Sequence, residues 1–184
     1  MDRHWLLTWT TYGTWLPGDA RGSVTSVREA AGSRAENDQP GTAWEGPHPG
    51  LRASARAALK GPPVYLTAEQ ANALLDQFRE TAVYRGWLLL GAAVMANHVH
   101  LVAGVPGDPN PEDLMRDFKA YGSRALNRRW GKRANGTWWS TGGGSRRKLP
   151  EVAAVRAALG YLRRQPNPLL IWIAKDHSPG EPGA

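Results

Sequence analysis

"WLLLGAAVMANHVHLVAGV", residues 87 to 105, is the most apolar part of a basic chain, and it carries two histidines. The run is too long for one ordinary strand. Ala96-Asn97 supplies a turn, so the stretch divides into an antiparallel pair at about 87 to 95 and 98 to 105. Side chains alternate across a strand, which puts His98 and His100 on one face and Val99 on the other. Two imidazoles on one face can share a divalent cation. Two histidines satisfied by neighbouring carbonyls would give the same pattern, and the strand itself offers no third ligand.

The hairpin needs partners, and the flanking sequence offers them. Residues 4 to 12 are rich in aromatic and β-branched side chains, with Trp5, Leu7 and Trp9 on one face of a period-2 pattern, and read as a strand. Residues 17 to 63 contain 6 Pro and 7 Gly. That is too much punctuation for a core element, so this span reads as a partly mobile insertion with one short helix at 51 to 60. Between it and the hairpin, "LTAEQANALLDQFRETAVYRG" predicts a helix with Thr67 as N-cap, Gln70 completing a capping box and Gly86 as the stop. Leu74, Leu75, Phe78 and Val83 are its expected buried face.

After the hairpin, "PNPEDLMRDFKAYGSRALNRRWG" predicts a helix with acids in its first turn and bases in its last, as the helix dipole favours. Leu114, Phe118 and Leu126 are its core candidates. "TWWSTGGGSRRKL" reads as a strand followed by a glycine-rich crossing, and "PEVAAVRAALGYLRRQP" as a final helix between Pro150 and Pro166. The order strand, helix, strand, strand, helix, strand, helix predicts an α+β, ferredoxin-like split βαβ fold. Its antiparallel sheet carries helices on one face, plus the C-terminal helix. At 184 residues the whole chain, 1 to 184, is expected to form a single domain carrying the insertion.

Composition narrows the function. With no cysteine there is neither a disulfide framework nor a thiolate metal site. No apolar run is long enough to cross a membrane, and Met1-Asp2-Arg3-His4 does not begin a signal peptide, so a cytoplasmic protein with no membrane partner is expected. The net charge of +7 is concentrated. Residues 116 to 164 hold 13 Lys/Arg against Asp117 and Glu151, or 13 − 2 = +11, leaving 7 − 11 = −4 elsewhere. A one-sided basic segment suits a polyanion, most simply nucleic acid. Lys119, Arg124, Arg128, Arg129, Arg146 and Arg147 are the backbone-contact candidates. Trp138 and Trp139 are candidate stacking platforms for unpaired bases.

The last helix adds a second feature. Val152, Val155, Leu159 and Leu162 form its apolar stripe. Tyr161 and Gln165, spaced i, i+4, share another face. The small Ala154, Ala157 and Ala158 beside them would let that face approach another surface. A half-buried tyrosine packing through its ring fits the same pattern.

"VMANHVHLV", followed about sixty residues later by "GYLRRQP", resembles the signature of the HUH single-tyrosine transposases, in particular the IS200-like and REP-associated branch. The likeness includes "LMRDFKAYGSRALNRRWG" and "TWWST" and covers roughly residues 86 to 168. It implies a metal-dependent single-stranded DNA endonuclease and strand transferase acting at hairpin-marked ends of an element or repeat. His98 and His100 would be paired ligands for Mg²⁺ or Mn²⁺, Gln165 a third ligand and Tyr161 the nucleophile, forming a 5′-phosphotyrosine. Relatives commonly carry Asn-Pro where this chain has Gln165-Pro166, but both amides offer a hard carbonyl oxygen. Tyr121 is the competing tyrosine; it has no amide at i+4 and is assigned to packing or DNA contact. Arg163 and Arg164 would lie near the phosphate. Monomer and homodimer, with the last helix completing its own or a partner's site, are both compatible. So are a non-catalytic DNA or RNA hairpin-binding module and a rolling-circle-type HUH nickase.

Overall fold

The computed structural model describes residues 1–20, 27–28, 34–35 and 47–175. Much of the 17 to 63 insertion therefore lies outside the described residues. Its described parts include the two-residue strands β2 (Val27–Arg28) and β3 (Arg34–Ala35), which pair with each other, and the helix α1 (Pro49–Ala57).

The central sheet holds β1 (Arg3–Thr11), β4 (Leu88–Val94), β5 (His98–Val105), β6 (Trp139–Lys148) and β7 (Leu170–Ile173), in the order β6-β1-β5-β4-β7. All pairings are antiparallel. Without β7, the order is that of the split βαβ plan, as the sequence predicts. The 87 to 105 stretch breaks where expected, with the Met95 N–H donating to the His98 carbonyl at 2.9 Å across Ala96-Asn97.

Helices α2 (Ala68–Arg85) and α3 (Pro111–Trp130) cover one face. The α2 capping box is formed by Thr67 and Gln70, and Gly86 ends the helix in the left-handed region at φ 66°. Trp9, Leu74, Phe78, Leu101, Leu114, Phe118 and Leu126 are fully buried between this helical layer and the sheet. Val83 is not among them: it is 81% exposed, while Thr81 and Ala82 take the buried positions. Gly122 lets α3 approach α2, since a Cβ there would stand 3.0 Å from Leu74 Cδ2.

Helix α4 (Val152–Arg163) packs on the opposite face, over Leu90, Ala93, Met95 and Val102. Its buried residues are Val155, Ala158, Leu159 and Leu162. Val152 is 67% exposed, because the chain has only just left β6 there, and Ala158 takes its place in the contact. A bulge between Leu89 and Gly91 turns both Leu90 and Gly91 toward α4. A Cβ on Gly91 would stand 2.8 Å from Leu159 Cδ2, 2.9 Å from Ile173 Cδ1 and 3.1 Å from Leu162 Cδ2. The missing side chain is what seats the helix on the sheet.

Two elements differ from the sequence reading. "TWWSTGGGSRRKL" is not a strand and a crossing: residues 139 to 148 form one strand along β1, with a register shift between Trp9 and Thr11. Glycine's low strand propensity is overridden by pairing with a neighbour that is already well packed. β7 is an additional strand. "LIWI" is β-branched and aromatic, but with only four residues its pattern is too short to distinguish a strand from a loop without β4 beside it.

Candidate active site

The α4 face of the sheet carries the two histidines. His100 lies opposite Thr8 on β1, and His98 opposite Thr10. Their rings meet edge to face, with centroids 4.9 Å apart and an interplanar angle of 85°. Each imidazole has an oriented partner on its far nitrogen: His100 Nδ1 is 2.7 Å from Thr8 Oγ1, and His98 Nδ1 is 2.7 Å from Asn97 Oδ1. The sequence pattern points to neither partner. Thr8 acts through cross-strand register, for which a single sequence carries no signal; Asn97 stands immediately before the histidine pair, where its local pattern is that of a turn residue.

Helix α4 brings the tyrosine to the pair. Its apolar side seats on Gly91, and the exposed side hangs over the end of β5. Tyr161 Oη lies 3.4 Å from His100 Nε2, and the two rings are 5.1 Å apart at 74°. One turn on, Gln165 Nε2 donates to the Tyr161 carbonyl at 3.3 Å, and its side chain is close enough to His100 to act on that imidazole's pKa. One chain thus gathers His98, His100, Tyr161 and Gln165 on its own sheet. Tyr121 is on α3, on the opposite face, against Tyr84 and Arg124.

His100 is buried, and its pKa is lowered to about 4, first by desolvation and then by His98; Gln165 opposes the shift. The ring is neutral at pH 7, as metal ligation requires. The donor set fits a divalent cation: two imidazoles presented on one face, each with its Nδ1 held from behind, and an amide oxygen within the same cluster. Among the described residues, no group of three His, Cys, Asp or Glu could hold a metal. Gln165, whose side chain lies in the same cluster, offers an amide oxygen as a candidate third donor.

The basic candidates divide between the two faces. Arg147 pairs with Leu6 on β1 and shares the His100 face, and Arg163 and Arg164 are exposed on either side of the α4 terminus. Arg146 points to the other face, where it pairs with Glu112 at 2.7 Å. Lys119, half-buried there, donates to the Ser140 carbonyl, and its pKa is lowered by desolvation and then by Arg146. Arg128 is tied to Gln77, while Arg124 and Arg129 lie over the rings of Tyr121 and Trp130.

Trp138 and Trp139 are not stacking platforms. Both are buried; Trp138 Nε1 donates to Asn127 Oδ1, and Trp139 Nε1 to the Lys119 carbonyl. Trp139 also stands edge-on to Trp9. Large aromatic rings beside a sheet gain more from burial than from waiting at the surface.

Residues 63–145 match the family model described as transposase IS200 like. That stretch is similar to the IS200-like transposases. The transposase match runs from the approach to α2 through the histidine pair and α3 into β6, and it stops before α4. Tyr161 and Gln165 therefore come to the site by geometry, not through the matched segment. Among solved structures, the chain is similar to a REP-associated tyrosine transposase bound to a REP hairpin, with a TM-score of 0.48 and 11% identity over 88% of this chain. It spans 64% of the length of that protein. It is also similar to a Deinococcus radiodurans R1 protein described as a transposase, with a TM-score of 0.47 and 18% identity over 91% of this chain and 94% of that one. No curated protein sequence matches. Among the described residues, no helix is long and apolar enough to cross a membrane.

Proposed function

We propose that this protein is a single-tyrosine transposase that cuts and rejoins single-stranded DNA at hairpin-marked ends, with Tyr161 as nucleophile and His98, His100 and Gln165 as the ion site. The observation that carries the reading is the approach of Tyr161 Oη to His100 Nε2 at 3.4 Å, across sixty residues of sequence. Packing alone does not require a phenol at that point, since Tyr161 is 42% exposed while the apolar side of α4 already covers the sheet.

In the proposed reaction, the phenol oxygen attacks phosphorus in line with the departing 3′ oxygen. The Tyr161 O–P bond forms and the P–O3′ bond breaks, giving a 5′-phosphotyrosine and a 3′-OH. The phenol's proton leaves to solvent, which reaches the half-exposed side chain, and the departing oxygen takes one up. Attack by a 3′-OH on the phosphotyrosine reverses these steps and joins DNA without ATP. A bound Mg²⁺ or Mn²⁺ would supply Lewis acidity to the phosphate. Arg147, Arg163 and Arg164 lie on the same side of the sheet as the site and suit the phosphodiester backbone on either side of the cut.

The test is covalent trapping. Incubation with labelled single-stranded hairpin oligonucleotides and Mn²⁺ should shift the protein on a denaturing gel; Tyr161→Phe should remove the shifted band, and Tyr121→Phe should retain it. DNA binding without an adduct in the unaltered chain would leave a hairpin-binding module in place of a nuclease.

A further inference from the structure

We infer that Asn97 is a positioning residue that sets the tautomer of His98, and that the Thr11–Thr14 turn holds Asn97 in place. The inference rests on the ion-site reading above and deepens it.

An amide oxygen only accepts hydrogen bonds, so the 2.7 Å contact from Asn97 Oδ1 requires the proton of neutral His98 to be on Nδ1. The Nε2 of the ring then carries the lone pair that ligation needs. The contact at His100 is different in kind. Its Nδ1 partner is the Thr8 hydroxyl, which can donate or accept, so His100 can exchange tautomers without losing the bond. One ring is locked and the other adaptable.

Asn97 is itself held at its backbone. Its carbonyl accepts from the Thr11 N–H at 2.9 Å, and the Thr11 and Thr14 hydroxyl oxygens stand 3.1 Å and 3.2 Å from it. Thr11 and Thr14 are buried, and the Thr11 hydroxyl also contacts the Val64 carbonyl at 2.6 Å. This turn closes the end of β1 and opens the insertion, so the route by which the chain leaves the sheet also fixes the residue behind His98. The anchor uses the main chain of Asn97 and the tautomer contact uses its side chain. Truncating the side chain should therefore leave the hairpin folded; Asn97 is not among the described non-glycine residues with positive φ.

The experiment is long-range ¹H–¹⁵N correlation of the imidazoles in the metal-free full-length protein, at a mildly alkaline pH where both rings are neutral. Expected is a protonated Nδ1 and an unprotonated Nε2 on His98, lost to a mixture of tautomers in Asn97→Ala and kept in Asn97→Asp, which retains an acceptor oxygen. Mn²⁺ affinity, measured by the EPR signal of free Mn²⁺, should fall about 10- to 100-fold in Asn97→Ala and recover in Asn97→Asp. A His98 protonated on Nε2 in the unaltered protein, or Asn97→Ala leaving tautomer or Mn²⁺ affinity unchanged, would overturn the inference. If the unaltered protein binds no Mn²⁺, the ion-site reading and the role toward the ion fall together, while the tautomer contact is still decided by the spectra.

Discussion

Replacing Gly91 by alanine should damage the site through helix α4, without altering any residue of the site. A Cβ there meets Leu159 Cδ2 at 2.8 Å, Ile173 Cδ1 at 2.9 Å and Leu162 Cδ2 at 3.1 Å. Carbon atoms rest at about 3.5–4.0 Å, so the closest contact falls short by about 0.7 Å. Leucine tips can turn aside, but three neighbours crowd the same point and Leu162 is fully buried, which leaves outward movement of α4 as the ready relief. Overpacking of this kind costs about 1–3 kcal/mol of stability. The same movement carries Tyr161 away from His100, stretching a 3.4 Å approach by a fraction of an ångström. Misplacing reacting groups by about 1 Å can cost on the order of 100-fold, so a loss of about 10- to 100-fold in adduct formation is expected. Single-turnover trapping on a pool of hairpin oligonucleotides measures the rate, and urea unfolding measures the stability. Leu159→Ala in the Gly91→Ala background opens the tightest contact and should restore part of the rate. Unchanged rate and stability in Gly91→Ala would refute the claim that this glycine seats the helix and, through it, the tyrosine.

Trp138→Ala should cost about 3–5 kcal/mol in urea unfolding, as for other buried aromatic truncations, instead of selectively weakening DNA binding; intact stability with lost binding would reinstate the stacking role. His98→Ala with His100→Ala should abolish Mn²⁺ binding measured by EPR, and retention would put the ion elsewhere. With a chelator present, the unfolded chain protonates His100 near 6.5 and the folded one only near 4, so stability should fall as pH drops between those values, a dependence that His100→Asn should flatten. DNA affinity should fall steeply with salt, and Arg147→Ala should lower the slope of log affinity against log salt by about 1; Arg146→Ala, whose guanidinium is paired with Glu112, should change it less.

Sequence alone determined what depends on local chemistry and period. The hairpin break at Ala96-Asn97, the common face of His98 and His100, the Thr67 cap and the helix carrying Tyr161 follow from alternation, capping and helical period, which need no distant partner; that helix ends at Arg163, so Gln165 reaches the cluster from just beyond it. The resemblance of "VMANHVHLV" and "GYLRRQP" to a transposase signature joined two motifs that no local rule could connect. Tertiary structure decided which faces met. Val83 and Val152 have the spacing of core residues, yet each helix buries only the stripe that its neighbour reaches, and theirs lay outside it. Trp138 and Trp139 sit in a basic stretch but became core because β6 runs along β1 under α3. Thr8 became the partner of His100 only through β1–β5 register, and Gly91 became the seat of α4 only through a bulge and a helix some seventy residues away. Such roles belong to pairs of residues brought together by packing, and a linear pattern holds one member of the pair at a time.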